Sequence, residues 1–334
     1  MKDFSTRWVN LTSAKLGAQA LACSDDFFAP MERMLHDQAP VFIEDKYDDN
    51  GKWMDGWESR RKRIAGHDWC IVKMARPGAI HGVEIDTAHF TGNYAPAASL
   101  EACFYEGDDS DLNNASDIQW TELISKTELD GNNYHQYEIE DNRIYTHLRL
   151  HIYPDGGIAR LKVYGSPTVD WSRILPGELV DIAAALNGGV ALACNNEHFG
   201  TMRNLLTPGR GVNMGDGWET RRRREPGNDW VVIALAHPGV IKTIDIDTAH
   251  FKGNYPDRCS IQGINTNQVN LDTIDSDSQS WPTLLPEVKL AADTEHVFKE
   301  EVIGIGPVSH IRLNIYPDGG ISRLHLFAEI LGQT

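Results

Sequence analysis

A chain of 334 residues is long enough for two domains of ordinary size, each with its own apolar core. Its 48 acidic residues against 31 basic ones give a formal charge of -17, which repels phosphate backbones and excludes a nucleic-acid partner. The same charge admits an anionic small molecule wherever arginines gather locally.

Met1 to Arg7 lacks the apolar core of a secretory leader. No run reaches the ~20 apolar residues of a membrane span. The nearest stretch, Ala183 to Cys194, is interrupted by Asn187-Gly188-Gly189. Five scattered cysteines without CxxC spacing read as reduced thiols. The expectation is a cytoplasmic protein with no membrane partner.

Taken in chain order, the first elements are short. Phe28 to Leu35 could form a helical turn or two, and the polar stretch Phe42 to Gly51 reads as a loop. Asp68 to Met74 reads as a buried strand. A Pro-Gly turn follows, then a second strand from Ile80 to Thr87. Tyr145 to Ile152 alternates apolar and polar residues, and so does Ile158 to Tyr164 after Pro154-Asp155-Gly156-Gly157. That pattern predicts a hairpin around the turn.

The same elements then recur. Asp55 to Tyr94 matches Asp216 to Tyr255 without a gap, with 23 of 40 positions identical, and His147 to Leu161 matches His310 to Leu324 at 12 of 15. Leu21-Ala22-Cys23 pairs with Leu192-Ala193-Cys194, so the first copy carries ten additional residues, which fall in the Phe42–Gly51 loop. Phe199 to Leu206, Asp229 to Leu235 and Val240 to Thr248 repeat the helical turn and the two strands. Duplication and fusion is the simplest account, with domains at 1–168 and 169–334. Short strands punctuated by turns predict an all-β chain of two tandem β-sandwiches.

Three motifs could carry chemistry. Asp55-Gly56-Trp57-Glu58-Ser59-Arg60-Arg61 recurs as Asp216-Gly217-Trp218-Glu219-Thr220-Arg221-Arg222. Solvated loops drift in sequence, so fixed acids and arginines point to a clamp for a carboxylate or ureido oxygen. Asp86-Thr87-Ala88-His89-Phe90, followed by Gly92-Asn93-Tyr94, recurs as Asp247 to Tyr255. An Asp–His pair can polarise a water or bind a metal, and it can equally satisfy the backbone of a strand corner. Arg149-Leu150-His151-Ile152-Tyr153 leads into the Pro-Asp-Gly-Gly turn and Arg160.

The copies differ at informative places. His67 becomes Asn228, Glu101 becomes Gln262 and His151 becomes Asn314. Proton transfer needs groups that titrate, whereas hydrogen bonding can use amides. The first copy therefore reads as the acid–base centre, and the second as a degenerate copy with a structural or binding role.

At these motifs the chain resembles the allantoicase family, and agreement covers nearly its whole length, including Ser24-Asp25-Asp26-Phe27-Phe28-Ala29. The Ile-Asp-Thr-x-His-Phe-x-Gly-Asn core alone also occurs in galactose-binding-like sandwiches that only bind ligands. The resemblance implies two galactose-binding-like jelly-roll domains, a homo-oligomer, and hydrolysis of allantoate to ureidoglycolate and urea in allantoin and purine degradation. Such chemistry needs a carboxylate clamp, a general acid and a general base. The clamp is expected from Arg60, Arg61 or Arg160, with Trp57 and Asn93 shaping a ureido pocket. Proton transfer is expected from Glu101, His151 or the Asp86–His89 pair. A divalent metal ion would help polarise the substrate, although no ligand spacing demands one. The alternatives are a carbohydrate-binding sandwich pair without catalysis and a scaffold subunit.

Overall fold

The structure is a computed structural model that describes residues 3–112 and 118–330. These divide into two compact units, one holding Asn10–Thr168 and the other Val169–Thr334. Each unit contains an eight-stranded antiparallel sheet folded into a jelly-roll sandwich.

The spine of the first unit is the strand Asp68–Asp86, 19 residues long. Its first part pairs with Gln19–Cys23 on one side and Ile144–Tyr153 on the other. Its second part pairs with Arg160–Pro167 and Tyr134–Glu138. One strand thus serves both layers. Ala97–Cys103 pairs with Ile144–Tyr153, and Thr121–Glu128 pairs with Ala97–Cys103, extending the first layer.

Side chains alternate in direction along a strand, and the sequence exploits this. Leu148, Leu150 and Ile152 are fully buried, whereas Arg149, His151 and Tyr153 between them are half-buried on the other face. Each buried aliphatic side chain stabilises the fold by about 1.5–3 kcal/mol. A one-residue slip would forfeit that burial and drive Arg149 and His151 into the core, so packing fixes the register that the polar face needs.

The second unit repeats the plan around Asp229–Asp247, with Val190–Cys194, Val308–Tyr316, Arg323–Ile330 and Glu295–Phe298 in the corresponding roles. It also contains a six-residue helix, Ile274–Gln279.

Two sequence expectations are corrected. The Pro77–Gly78 step is not a turn: the strand continues through it. The Pro77 carbonyl accepts the Thr168 N–H, and Gly78 lies opposite Pro167. A Cβ on Gly78 would come within 2.5 Å of the Ser166 carbonyl oxygen, so glycine is what lets the two backbones close at this corner. Nor does Pro154-Asp155-Gly156-Gly157 close a hairpin. Ile144–Tyr153 and Arg160–Pro167 each pair with a different part of Asp68–Asp86, so the segment crosses between layers. Its backbone rests on a loop instead, with the Gly157 N–H donating to the Asn93 carbonyl. The expected helical turns are present as 3₁₀ segments at Met31–Leu35 and Met202–Leu206.

The additional loop of the first copy is exposed and carries only the small ladder Tyr47–Asp48 with Gly51–Lys52. All five cysteines are free, and no helix among the described residues is long and apolar enough to cross a membrane.

Candidate active site

On the outer face of the first unit's long-strand layer, the register sets Arg149 opposite Glu101 and His151 opposite Trp69 and Ser99. The side chains join into one chain of hydrogen bonds. Glu101 Oε2 lies 3.0 Å from His151 Nε2, and His151 Nδ1 lies 2.9 Å from His67 Nε2. Arg149 donates to the same Glu101 oxygen through Nε at 2.9 Å and Nη2 at 2.6 Å, and its guanidinium stacks 4.4 Å from the Trp120 ring. The Tyr153 ring flanks His67 at 4.5 Å, held by a 2.9 Å bond between its hydroxyl and Ser99 Oγ. Lys126 Nζ sits 4.4 Å over the same tyrosine ring.

Electrostatics give this chain a direction. Burial would raise the Glu101 carboxyl, but the bonds from His151 and Arg149 outweigh it and hold the group below its ordinary value. Glu101 is therefore an anion at neutral pH and accepts the His151 Nε2 proton. That leaves His151 Nδ1 as an acceptor for the His67 Nε2–H, and the remaining lone pair appears at His67 Nδ1. Burial, then the charges of His151 and Lys62, depress the His67 imidazole, with Asp68 opposing them. A neutral imidazole backed by an anchored carboxylate is a general base.

The second unit builds the same chain from amides. Asn228 Nδ2 donates to Asn314 Oδ1 at 3.2 Å, and Asn314 Nδ2 donates to Gln262 Oε1 at 2.9 Å. Arg312, the counterpart of Arg149, donates to Asn314 Oδ1 at 2.8 Å and stacks 4.5 Å from the Trp230 ring. The three positions His67, Glu101 and His151, each facing an amide in the other copy, are thus consecutive links of a single chain.

The profile of the allantoicase repeat matches this sequence twice, over residues 9–168 and 180–331. A probable allantoicase of Burkholderia mallei is 57% identical over 98% of this chain and 96% of its own length. One from Pseudomonas fluorescens is 54% identical over 97% of each. The crystal structure of allantoicase from Saccharomyces cerevisiae superposes with a TM-score of 0.80 at 38% identity, covering 96% of this chain and 92% of that one. The chain belongs to the allantoicase family.

The other residues singled out in this allantoicase sequence lie elsewhere or are committed to other partners. Arg160 is 1% exposed; it pairs with Asp55 Oδ2 at 2.8 Å and donates to the carbonyls of Gln38, Asp55 and Ala159. Arg60 is exposed but tied to Asp25 Oδ2 through Nε at 2.7 Å. Arg61 is exposed, with no ion pair among the described residues. Trp57 is fully buried and donates to the Asp25 carbonyl at 2.9 Å, shaping the core beneath the arginine block and not a pocket. Asn93 donates to Glu58 Oε1 at 2.7 Å, and burial raises the Glu58 carboxyl against that bond.

Asp86 and His89 do not form a pair. Asp86 Oδ1 accepts the Ala88 N–H at 2.7 Å, capping the strand end, while His89 Nε2 lies 3.1 Å from the Pro40 carbonyl. His89 adopts a φ of 69°, and its counterpart His250 adopts 70°. These residues serve the corner of the sandwich, in line with the structural alternative weighed for them.

His67, Arg149, Tyr153, Lys126 and Trp120 were not among the expected site residues. Three of them left a trace in the sequence: His67 as a titrating residue facing an amide in the other copy, and Arg149 and Tyr153 as positions shared with Arg312 and Tyr316. The other two become visible only through the fold. In the second unit the hollow lined by Arg222 and Arg224 shares Asn195 and Arg223 with the groove over the amide chain, so the arginine block forms a groove rim. No group of three or more His, Cys, Asp or Glu side chains among the described residues is placed to hold a metal ion.

Proposed function

We propose that this chain hydrolyses allantoate to ureidoglycolate and urea, with the Glu101–His151–His67 chain of the first repeat as its proton relay. The observation that carries this reading is that His67, Glu101 and His151, each facing an amide in the other copy, touch in sequence, as do the amides that face them. Random surface drift gives no reason for contiguity. Family membership supplies the substrate, an anionic ureide.

The chemistry follows from the substrate's own atoms. Allantoate carries two ureido groups and a carboxylate on one carbon. Loss of urea breaks one C–N bond, removes a proton from the remaining ureido N–H and adds one to the departing nitrogen. His67 Nδ1 takes the first proton, and the imidazolium, steadied through His151 by Glu101, delivers it to the leaving group. Water then adds to the resulting C=N carbon while His67 accepts its proton, and that proton passes to the imine nitrogen. Protons balance, and the relay returns to its starting state. Lys126, with no carboxylate partner among the described residues, and Arg61, whose counterpart Arg222 lines the hollow beside the second repeat's groove, supply cations for the substrate carboxylate.

The test is urea release from allantoate by the intact chain and by His67→Asn, His151→Asn and Glu101→Gln. The expected result is a folded protein in each case and a loss of about 10²–10⁴ in kcat for His67→Asn. Full activity in all three variants would discard the relay. The reading extends to a cytoplasmic homo-oligomer whose repeats divide at residues 168 and 169. Support comes from the free cysteines, from the profile's first match ending at 168, and from the exposed apolar Val41, Phe42 and Ile43. Sedimentation of the intact chain checks the oligomer.

A further inference from the structure

The groove of the second repeat has a volume of about 720 Å³, within the range of small-molecule sites. Its walls include Arg223, Asn228, Trp230, Gln262, Arg312 and Asn314. Nothing in the proton relay of the first repeat calls for this second groove, yet it is fully furnished.

The polarity of its amide chain is fixed from both ends. Arg312 can only donate, so the atom of Asn314 that it meets at 2.8 Å is Oδ1. A backbone carbonyl can only accept, so the Gln262 atom lying 2.7 Å from the Gln279 oxygen is Nε2. Between these anchors the donors run one way, from Asn228 through Asn314 and Gln262 to Gln279. Asn228 Nδ2 is spent on Asn314 and on the Asp229 carbonyl, so its Oδ1 remains as an acceptor. It occupies the chain position at which His67 offers its lone pair in the first repeat.

Beside it stands a cation with donor capacity to spare. Arg223 donates through Nη1 to Asp229 Oδ1 at 2.7 Å, while its Nε, shielded from solvent, has no hydrogen-bond acceptor. A buried N–H without a partner is costly, and an anion in the groove would relieve it. Arg312 is likewise ion-paired, to Asp275 at 2.9 Å, but its Nε is already spent on Asn314 Oδ1, whereas the Nε of Arg223 has no acceptor, which makes Arg223 the groove's anion receptor among the described residues.

We propose that the second repeat's groove binds a small carboxylate bearing a ureido group and does not turn it over: the carboxylate lies on Arg223 and a ureido N–H donates to Asn228 Oδ1. Amides cannot accept a proton at neutral pH, so the ligand is held chemically unchanged. The ligand class is that of the reaction's own substrate and product, and in that respect the inference rests on the function proposed above.

The experiment is calorimetric titration of allantoate into the intact chain carrying His67→Asn, which slows turnover by about 10²–10⁴-fold and leaves the second repeat's groove untouched. Two molecules per chain are expected. Adding Arg223→Met, or independently Asn228→Leu, should weaken the second site at least tenfold and bring the stoichiometry to one, with the thermal midpoint measured for each variant. One molecule per chain in the His67→Asn protein, or two in both double variants, overturns the proposal. Urea release by the unmodified chain is measured alongside. Turnover with a single binding site rejects this inference alone, whereas absence of turnover rejects the function on which it rests.

Discussion

At His67 the local charges decide what the ring can do. Burial, His151 and Lys62 all disfavour the imidazolium, so the ring stays neutral below its ordinary value of 6.5. Activity governed by His67 is therefore expected to be level from neutral pH down past 6.5 and to fall only at lower pH, as the ring protonates. A kcat/KM profile measures this, and an acid limb centred above 6.5 would contradict the assignment. Glu101→Gln keeps the size of the side chain but removes the anion that sets the His151 tautomer, so kcat should drop by about 10²-fold or more. Lys126 acts differently. It touches the Tyr153 ring and no carboxylate among the described residues, so its worth is in holding the substrate's charge. Lys126→Met should raise KM about tenfold and leave kcat within a few-fold, because the interaction is made equally in the bound and transition states. A kcat loss matching the KM rise would place Lys126 in the chemistry.

Among the elements, the strands hold the proposed relay and a buried ion pair ties a loop to them. Arg160 and Asp55 are 1% and 9% exposed in their side chains, and the guanidinium also gathers the carbonyls of Gln38 and Ala159. Breaking such a pair leaves a buried charge without its partner, so Arg160→Met should cost about 3–5 kcal/mol of stability. Asp55 is raised by burial but lowered further by Arg160, Val41 and His36, so its folded pKa lies below the unfolded one. Its contribution is present above the unfolded value and is lost as pH falls through the folded one. Chemical denaturation of Arg160→Met at pH 7 and pH 3 checks both the size and the loss. The opposite sign holds in the second repeat. Burial, followed by the nearby Glu295, pushes the Asp245 carboxyl up to about 7. The folded state binds this proton more tightly than the unfolded chain, so stability declines as pH rises from the ordinary carboxylate range to about 7. Glu295→Gln removes the like charge and should raise the thermal midpoint at pH 8 but not at pH 5. The first repeat meets the same position without conflict, since Gln136 donates to Glu84 there.

Across the whole molecule, duplication explains both what could be read in advance and what could not. Two aligned copies made the sandwich pair legible, because apolar alternation recurs at matching places and each copy corroborates the other. They also exposed His67, Glu101 and His151, since a comparison of copies isolates the positions where charge changes. The connection from Tyr153 to Arg160 was misread because Pro-Asp-Gly-Gly satisfies hairpin chemistry locally, while the pairing of its flanks is decided by a strand some 70 residues away. Asp86 and His89 drew attention for their chemistry, although their recurrence in both copies reflects a shared corner. If the copies differ in function chiefly through three side chains, the difference should be transferable. Asn314 lies opposite Trp230 and Gln262 opposite Arg312, the same registers as His151 with Trp69 and Glu101 with Arg149. Asn228→His, Gln262→Glu and Asn314→His, introduced together into a His67→Asn chain, should therefore rebuild the relay on the second scaffold. Urea release from allantoate is expected to rise at least about tenfold above the His67→Asn background, within the range that a positioned acid–base group contributes. A folded triple variant that stays at background would mean that the first repeat's distinctive cation, Lys126, is as necessary as the relay. The division of labour between the copies would then rest on charge placement in the groove as well as on titration.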